Sequence, residues 1–178
     1  GYAALLIVFT VFMLIRIIMA IPAVRRQIDY RKVHMPVFGK LFKIIYTARF
    51  ARTLSSLYSS GMPIATALGI AGNTIGNSYV EGQFEQVVAL VRSGIPMSQA
   101  LREVDGLQKQ LASTILVGEE SGRLDVMLDS IALSLEADAE EATKRMVTLM
   151  EPLLIMMMAV IVGFIMIAVM LPIYESYS

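Results

Sequence analysis

Two long apolar runs enclose the middle of the chain and predict membrane-spanning helices. Residues 1–22 are apolar apart from one arginine and one threonine, and residues 151–172 carry no charge after Glu151. About 20 residues at a rise of about 1.5 Å each cover a hydrocarbon layer about 30 Å thick. We therefore expect a transmembrane helix over each run. Pro152 suits the first turn of the second helix, and Pro172 suits its end. A signal peptide is less compatible with the first run, because its basic residues would precede the run, whereas here they follow it.

Basic side chains cluster directly after the first run. Residues 25–52 contain eight Lys or Arg and a single acid, Asp29. Cytoplasmic segments next to membrane helices carry such an excess of positive charge. We therefore expect residues 23–35 to be a basic juxtamembrane linker, residues 36–150 to be a cytoplasmic domain, and residues 173–178 to be a short extracytoplasmic tail.

The middle of the chain has the periodicity of amphipathic helices. Apolar residues recur there at three- and four-residue spacing, without sustained alternation of period two. The expected fold class is all-α: a membrane protein with a cytoplasmic six-helix bundle between two transmembrane helices. The last apolar stripe continues toward Leu149, which predicts a helix running from the bundle almost to the second span. The six stripes cover residues 50–57, 64–71, 80–91, 97–104, 107–115 and 124–135.

One short pattern occurs twice, 33 residues apart. Ser-Gly-x-Pro is found at Gly61 and Pro63 and again at Gly94 and Pro96, and each copy is followed by Ala-Leu. Glycine supplies a left-handed residue that ends one helix, and proline two residues later pre-sets the first turn of the next. The pattern predicts the same helix-turn-helix corner at both places.

Composition excludes several classes of chemistry. The 178 residues are 56% hydrophobic and 17% charged, with 15 basic and 15 acidic residues, no Cys and a single His, His34. Thiolate nucleophiles and His/Cys zinc sites are therefore ruled out, and no phosphate-binding P-loop is present. We expect no enzymatic activity, cofactor or bound metal. With no net positive charge, nucleic-acid binding is also not indicated.

Acidic residues are concentrated at the other end of the middle region. Residues 119–141 contain eight acids and one base, Arg123. In one interpretation the basic stretch faces anionic lipid headgroups while the acids form a solvated helix face. In another, one of the two charged regions docks a protein partner. The two interpretations are compatible. A calcium site among the acids is not favoured, because no calcium-binding loop is present.

A series of short motifs lies in a fixed order along the chain. They are Pro36-x-x-Gly39, Ala48-Arg49-Phe50-x-Arg52-Thr53-Leu54, Ser60-Gly61-x-Pro63, Gly94-x-x-x-x-x-Ala100-Leu101, Gly118-Glu119-x-x-Gly122-x-Leu124, Met127-Leu128 and Glu151-Pro152-Leu153-Leu154. In order and spacing this series resembles the type II secretion F family. That family comprises the inner-membrane platform proteins of type IV pilus and type II secretion machines.

The resemblance implies a non-catalytic, multi-pass protein of the bacterial inner membrane. It implies contacts with a cytoplasmic hexameric assembly ATPase, with pilin or pseudopilin subunits, with other inner-membrane assembly proteins and with further copies of the same chain. Family members usually have two cytoplasmic domains and three spans, so the chain looks like a C-terminal half. The ending Leu171-Pro172-Ile173-Tyr174 is more similar to pilus members. A membrane-anchored scaffold or signalling domain, or a transporter component, are the alternatives.

The resemblance also marks particular residues. Glycines at helix ends and arginines paired with acids are the structural interpretations of the same positions. Candidates for partner binding are Arg49, Arg52, Glu119, Glu120, Gly122 and Arg123. Candidates for a structural role are Gly61, Pro63, Gly94, Pro96, Gly118, Glu151 and Pro152.

Overall fold

A computed structural model describes residues 9, 10, 13, 22–36 and 38–175. These residues form helices and turns, and no strand occurs among them, which confirms the predicted all-α class. The first predicted span lies almost wholly outside the described residues. Between residues 22 and 175 the helices are α1 Pro22–His34, α2 Gly39–Ser59, α3 Ile64–Gly72, α4 Ser78–Glu81, α5 Phe84–Arg92, α6 Met97–Arg102, α7 Lys109–Ser121 and α8 Leu124–Glu175.

The predicted stripes fall on helices, with two differences. The stripe at residues 80–91 is divided between α4 and α5, because the chain turns at Gly82 and Gln83. The segment expected to be a juxtamembrane linker, residues 23–35, is almost entirely helix α1. Only two of its residues, Asp29 and Val33, are buried. A helix that buries so few apolar side chains has little apolar periodicity in its sequence. The helix is therefore held by polar contacts that the periodicity of its sequence does not reveal.

Asp29 is the centre of those contacts. Its carboxylate accepts hydrogen bonds from the Ser78 backbone N–H at 3.0 Å, the Ser78 hydroxyl at 2.7 Å and Lys32 Nζ at 2.9 Å. The Asn77 amide donates to the Asp29 backbone carbonyl at 3.1 Å, while its own Oδ1 accepts from the N–H groups of Tyr79 and Val80. Burial raises the pKa of Asp29, but the bonds from Lys32 and Ser78 outweigh burial and hold that pKa below its usual value. One buried carboxylate thus joins α1 to the start of α4.

The chain divides into two compact units, residues 1–139 and 140–178. In the first unit, helices α2 to α7 and the first part of α8 surround one apolar core. Its fully buried large side chains include Phe50, Leu54, Leu68, Ile75, Phe84, Leu111, Ile115, Leu128 and Leu135. With Val33 of α1 included, the core draws on residues from position 33 to position 135.

In the described part of the second unit, residues 140–175, the chain is the remainder of α8. It begins with a charged turn in which Lys144 pairs with Glu140 and Arg145 pairs with Glu141. An apolar stretch follows whose described side chains are all exposed. Among the described residues, α8 is the one helix long and apolar enough to cross a membrane, with a window of mean hydropathy 2.4. The structure thus has one candidate transmembrane helix, at the C-terminal end.

Helix α8 differs from the prediction at both prolines. It passes through Pro152 without interruption, whereas the sequence predicted that proline in a first turn, and it includes Pro172 and ends at Glu175. Proline removes one backbone donor, yet both positions are helical here. The predicted continuation of the last bundle helix is present, since α8 extends from Leu124 past Leu149.

The repeated Ser-Gly-x-Pro pattern forms two corners of matching geometry. Gly61 and Gly94 have φ values of +83° and +95°. After each glycine a backbone N–H reaches back to close the preceding helix, from Met62 to the Leu57 carbonyl at 3.2 Å and from Ile95 to the Leu90 carbonyl at 3.1 Å. Pro63 and Pro96 sit one position before the first turn, with φ/ψ of −56°/134° and −53°/137°. A left-handed glycine and an extended proline make each corner.

Gly72 allows α3 and α5 to come into close contact. A Cβ at Gly72 would lie 2.5 Å from Cγ of the buried Phe84 ring, whereas a Cβ at Gly69, one turn earlier, would make an ordinary 3.7 Å contact with Val88.

We predict that Gly72→Ala lowers the free energy of unfolding by about 1–3 kcal/mol, because the ring must move in a packed core. Gly69→Ala is the matched control. It should be neutral or stabilising by up to about 1 kcal/mol, because alanine favours helix. Denaturant unfolding in detergent measures both variants, and equal stability of the two would contradict the packing argument.

Candidate partner-binding site

The Gly-Glu-x-x-Gly motif spans the end of α7 and the turn into α8. Gly122 has φ +67°, and the N–H of Arg123 donates to the Gly118 carbonyl at 3.0 Å, which closes α7. A Cβ at Gly118 would lie 3.0 Å from Met127 Cβ and 3.1 Å from Leu124 Cα. Gly122 therefore supplies the turn, and Gly118 supplies the close approach of the two helices.

Glu119 faces inward and accepts hydrogen bonds from the first residues of α6. Its Oε1 accepts from the Met97 N–H at 2.7 Å, and its Oε2 accepts from the Ser98 N–H at 3.3 Å and from the Ser98 hydroxyl at 2.5 Å. The first N–H groups of a helix have no partner within the helix, and a carboxylate there also interacts favourably with the helix dipole. Glu119 is therefore engaged within the fold and is not a free acid.

Arg52 joins α2 to α8. Its Nε and Nη2 donate to the two Glu136 carboxylate oxygens at 2.7 and 2.6 Å, and its Nη1 donates to Asp129 at 3.2 Å. The hydrogen bonds from Arg52 lower the pKa of Glu136. The side chains of Arg52 and Glu136 remain 35% and 43% exposed, so solvent screens the pair. For Arg52 the sequence left two interpretations, partner binding and pairing with acids, and the structure has the pairing with acids.

Arg49 has a different role from Arg52. Its Nη1 donates to the backbone carbonyl of Ile75 at 3.0 Å. The next residue, Gly76, has φ +84°, and a Cβ there would lie 2.6 Å from the same nitrogen. Arg49 thus fixes the turn between α3 and α4 and does not pair with an acid in the described part of the chain.

Two of the predicted site residues remain available at the surface of the α7–α8 turn. Glu120 and Arg123 are exposed, and neither makes a hydrogen bond or ion pair through its side chain within the described residues. Gly122 is exposed between them. In the second unit, Glu151 and Pro152 are both exposed within α8. The turn from 120 to 123 is therefore the part of the predicted site that presents unpaired charge.

Asp105 forms a second polar centre that sequence reasoning missed. Its carboxylate accepts from Tyr79 Oη at 3.0 Å and lies 3.1 Å from His34 Nε2 and 3.5 Å from Lys43 Nζ. Gln83 bonds to both backbone groups of Asp105, at 2.9 Å each. The residues concerned are up to 71 positions apart in sequence, so no local pattern indicates this cluster.

Comparison of the sequence with known proteins identifies a family and several relatives. Residues 50–172 match the model of the family described as Type II secretion system (T2SS), protein F. The chain belongs to that family. It is 37% identical over 172 residues to the type IV pilus assembly protein PilC of Thermus thermophilus, covering 96% of this chain and 42% of that protein. It is 32% identical over 175 residues to the type II secretion system protein F of Vibrio cholerae, covering 98% of this chain and 43% of that protein.

Another relative carries a pilus name. The type IV pilus assembly protein TapC of Aeromonas hydrophila is 32% identical over 171 residues, which cover 94% of this chain and 40% of that protein. The chain thus spans about two fifths of the length of these curated relatives. Both pilus and secretion names occur among them, which agrees with the resemblance found in the motifs.

The contacts of Glu119 generate a stability prediction. Glu119→Ala leaves two N–H groups of α6 and the Ser98 hydroxyl without their acceptor, so we expect the free energy of unfolding to fall by about 1–2 kcal/mol. Glu120→Ala removes the same charge and side chain from the next, exposed position and should change stability by less than about 0.5 kcal/mol. Denaturant unfolding followed by circular dichroism compares the two. Similar losses in both variants would show that Glu119 does not act through these bonds.

The lowered pKa of Glu136 generates a pH prediction. A carboxylate whose pKa is depressed on folding contributes stability above its unfolded pKa and loses that contribution as the pH falls through its folded pKa. At neutral pH, Glu136→Gln should therefore cost about 0.5–1 kcal/mol, reduced by screening. The cost should shrink as the pH falls below the usual value of 4.5. Asp138→Asn removes an equivalent exposed charge from the same helix and should follow the wild type. A cost for Glu136→Gln that is independent of pH would contradict the ion pair with Arg52.

Proposed function

We propose that this chain is part of a non-catalytic platform protein in the bacterial inner membrane. In this proposal it belongs to a type IV pilus assembly machine and couples a cytoplasmic hexameric ATPase to the insertion of pilin subunits by protein contact. The match to the protein F family over residues 50–172, together with a pilus assembly relative at 37% identity, carries the proposal. A type II secretion machine with pseudopilin subunits is the related possibility, supported by the relative at 32% identity.

The proposed topology has two spans with the helical unit between them in the cytoplasm. Transmembrane helices at residues 1–22 and 151–172 enclose the helical bundle within residues 36–150, where the described residues form seven helices instead of the six predicted, and residues 173–178 form an extracytoplasmic tail. The cations between residues 25 and 52 favour this orientation, since cytoplasmic flanks of membrane helices are rich in Lys and Arg. The exposed apolar side chains of the second half of α8 are suited to lipid contact.

We place the ATPase contact at the α7–α8 turn. Arg49, Arg52 and Glu119 already bond within the fold, so a partner that recruited them would have to break those bonds. Glu120 and Arg123 are exposed and free of such contacts, so a complementary pair on a partner could meet them without that cost. Pilin subunits, other inner-membrane assembly proteins and further copies of the chain complete the proposed set of partners.

Purification of the tagged full-length protein from its own host tests the proposal. Mild detergent keeps weak membrane complexes together, and the proteins that remain bound are then identified. Recovery of a hexameric ATPase and pilin-like proteins is the expected result. Recovery of neither, while the ATPase is present in the same cells, would favour a membrane-anchored scaffold. A deletion strain that loses pili but still secretes assigns the chain to a pilus machine.

Charge exchange at the α7–α8 turn tests the docking surface. Glu120→Lys with Arg123→Glu keeps the net charge but exchanges the positions of the negative and the positive side chain. We therefore expect roughly tenfold less ATPase to be recovered, equivalent to about 1.4 kcal/mol. Glu103→Lys with Lys109→Glu makes the same exchange at two other exposed positions and should leave recovery unchanged. Normal recovery from the 120/123 variant would remove this turn from the interface.

A further inference from the structure

The outer side of α1 and the beginning of α2 carry unneutralised positive charge. Arg25, Arg31 and Lys40 are exposed, and within the described residues none of them forms a hydrogen bond or ion pair through its side chain. The one acid between residues 22 and 44 is Asp29, which is buried and already bonded to Lys32 and Ser78. Asp105 lies beside His34 and Lys43 of this segment, whereas Arg25, Arg31 and Lys40 have no acidic partner within the described residues.

Large apolar side chains are exposed among these cations. Ile28, Met35 and Phe38 are 38%, 45% and 39% exposed. Ile28 and Arg31 lie on the side of α1 turned away from the buried Val33, whereas Arg25, one turn before the buried Asp29, is exposed near the start of the helix. We call these six residues, Arg25, Ile28, Arg31, Met35, Phe38 and Lys40, the basic-apolar patch. Exposed cations and exposed apolar side chains thus alternate along residues 25–40.

We propose that the basic-apolar patch binds the headgroup region of an anionic phospholipid bilayer. Arg and Lys have long side chains that can reach lipid phosphates, while neighbouring Met, Ile and Phe side chains enter the boundary between headgroups and acyl chains. A surface with a negative potential attracts such cations. An acidic protein face would satisfy the charges, but the interleaved apolar side chains match the layered polarity of a lipid surface better. The inference rests on the membrane location in the proposed function and does not depend on contact with an ATPase.

The absence of cysteine allows a direct experiment on the full chain. Met35→Cys places a single thiol in the patch for a polarity-sensitive fluorophore, and Val117→Cys provides a control on exposed α7. The labelled proteins are reconstituted into nanodiscs of phosphatidylcholine alone or mixed with phosphatidylglycerol. With phosphatidylglycerol, the label at residue 35 should shift its emission to shorter wavelength and lose accessibility to the neutral quencher acrylamide. The label at residue 117 should not respond.

Charge variants separate a specific patch from a general effect of net charge. Arg25→Glu with Arg31→Glu should abolish the response at residue 35, and high salt should weaken it by screening. Arg102→Glu with Lys109→Glu makes the same change in net charge at other exposed positions and should retain the response. Loss of the response in both double variants would overturn the assignment to the patch.

Three further results would overturn the proposal, and they are distinguishable. A label at residue 35 that is equally exposed in both lipid mixtures excludes binding to anionic lipid, while the proposed platform function stands. If the label at residue 35 becomes less accessible to acrylamide as the number of chains per nanodisc rises, in both lipid mixtures, the patch contacts a second copy of the chain. Failure of the chain to enter nanodiscs at all would instead refute the membrane location in the proposed function.

Discussion

The first unit is built from short helices, and its structure depends on satisfying their ends. Helices α3, α4, α5 and α6 have nine, four, nine and six residues, so most of their backbone groups lie within a turn of an end. Such groups lack partners inside the helix and are costly to bury alone. The fold supplies Asn77 at α4, Glu119 at α6, and left-handed glycines where α2, α5 and α7 end. Polar residues that look available in the sequence are therefore used by the fold itself.

Charged residues that are separated in the sequence are likewise used for contacts within the fold. The sequence separates a basic segment from an acidic one, and Arg52 brings them together by bonding to residues 77 and 84 positions away. Asp29, isolated among cations in the sequence, is buried and joins α1 to α4. Among the charges that the fold leaves without a partner are Glu120 and Arg123 at one turn and the cations of the basic-apolar patch. Surfaces for partners are better sought among side chains that the fold leaves unpaired.

The helices, the corners and the core follow from local patterns, whereas the roles of the polar residues do not. Apolar spacing indicates most of the helices, and the repeated Ser-Gly-x-Pro pattern indicates both corners with their left-handed glycines. Helix α1 escaped prediction because its attachment is polar, through Asp29. The break between α4 and α5 lies within an apolar stripe that continues across it. Glu119 and Glu120 are adjacent and chemically identical, and only the position of α6, set by tertiary packing, gives one of them an internal partner.

The way the core is assembled has a consequence for biosynthesis. Leu128, Ile131 and Leu135 on α8 complete a core that otherwise comes from earlier helices, so the unit cannot close until those residues have been made. The uncharged stretch of α8 begins at residue 152, and at about 5–20 residues per second the ribosome reaches it within about 1–3 s of residue 135. In the proposed topology, closure of the core and delivery of this hydrophobic stretch to the insertion machinery are therefore nearly simultaneous. A delay in either step leaves apolar surface unprotected during translation.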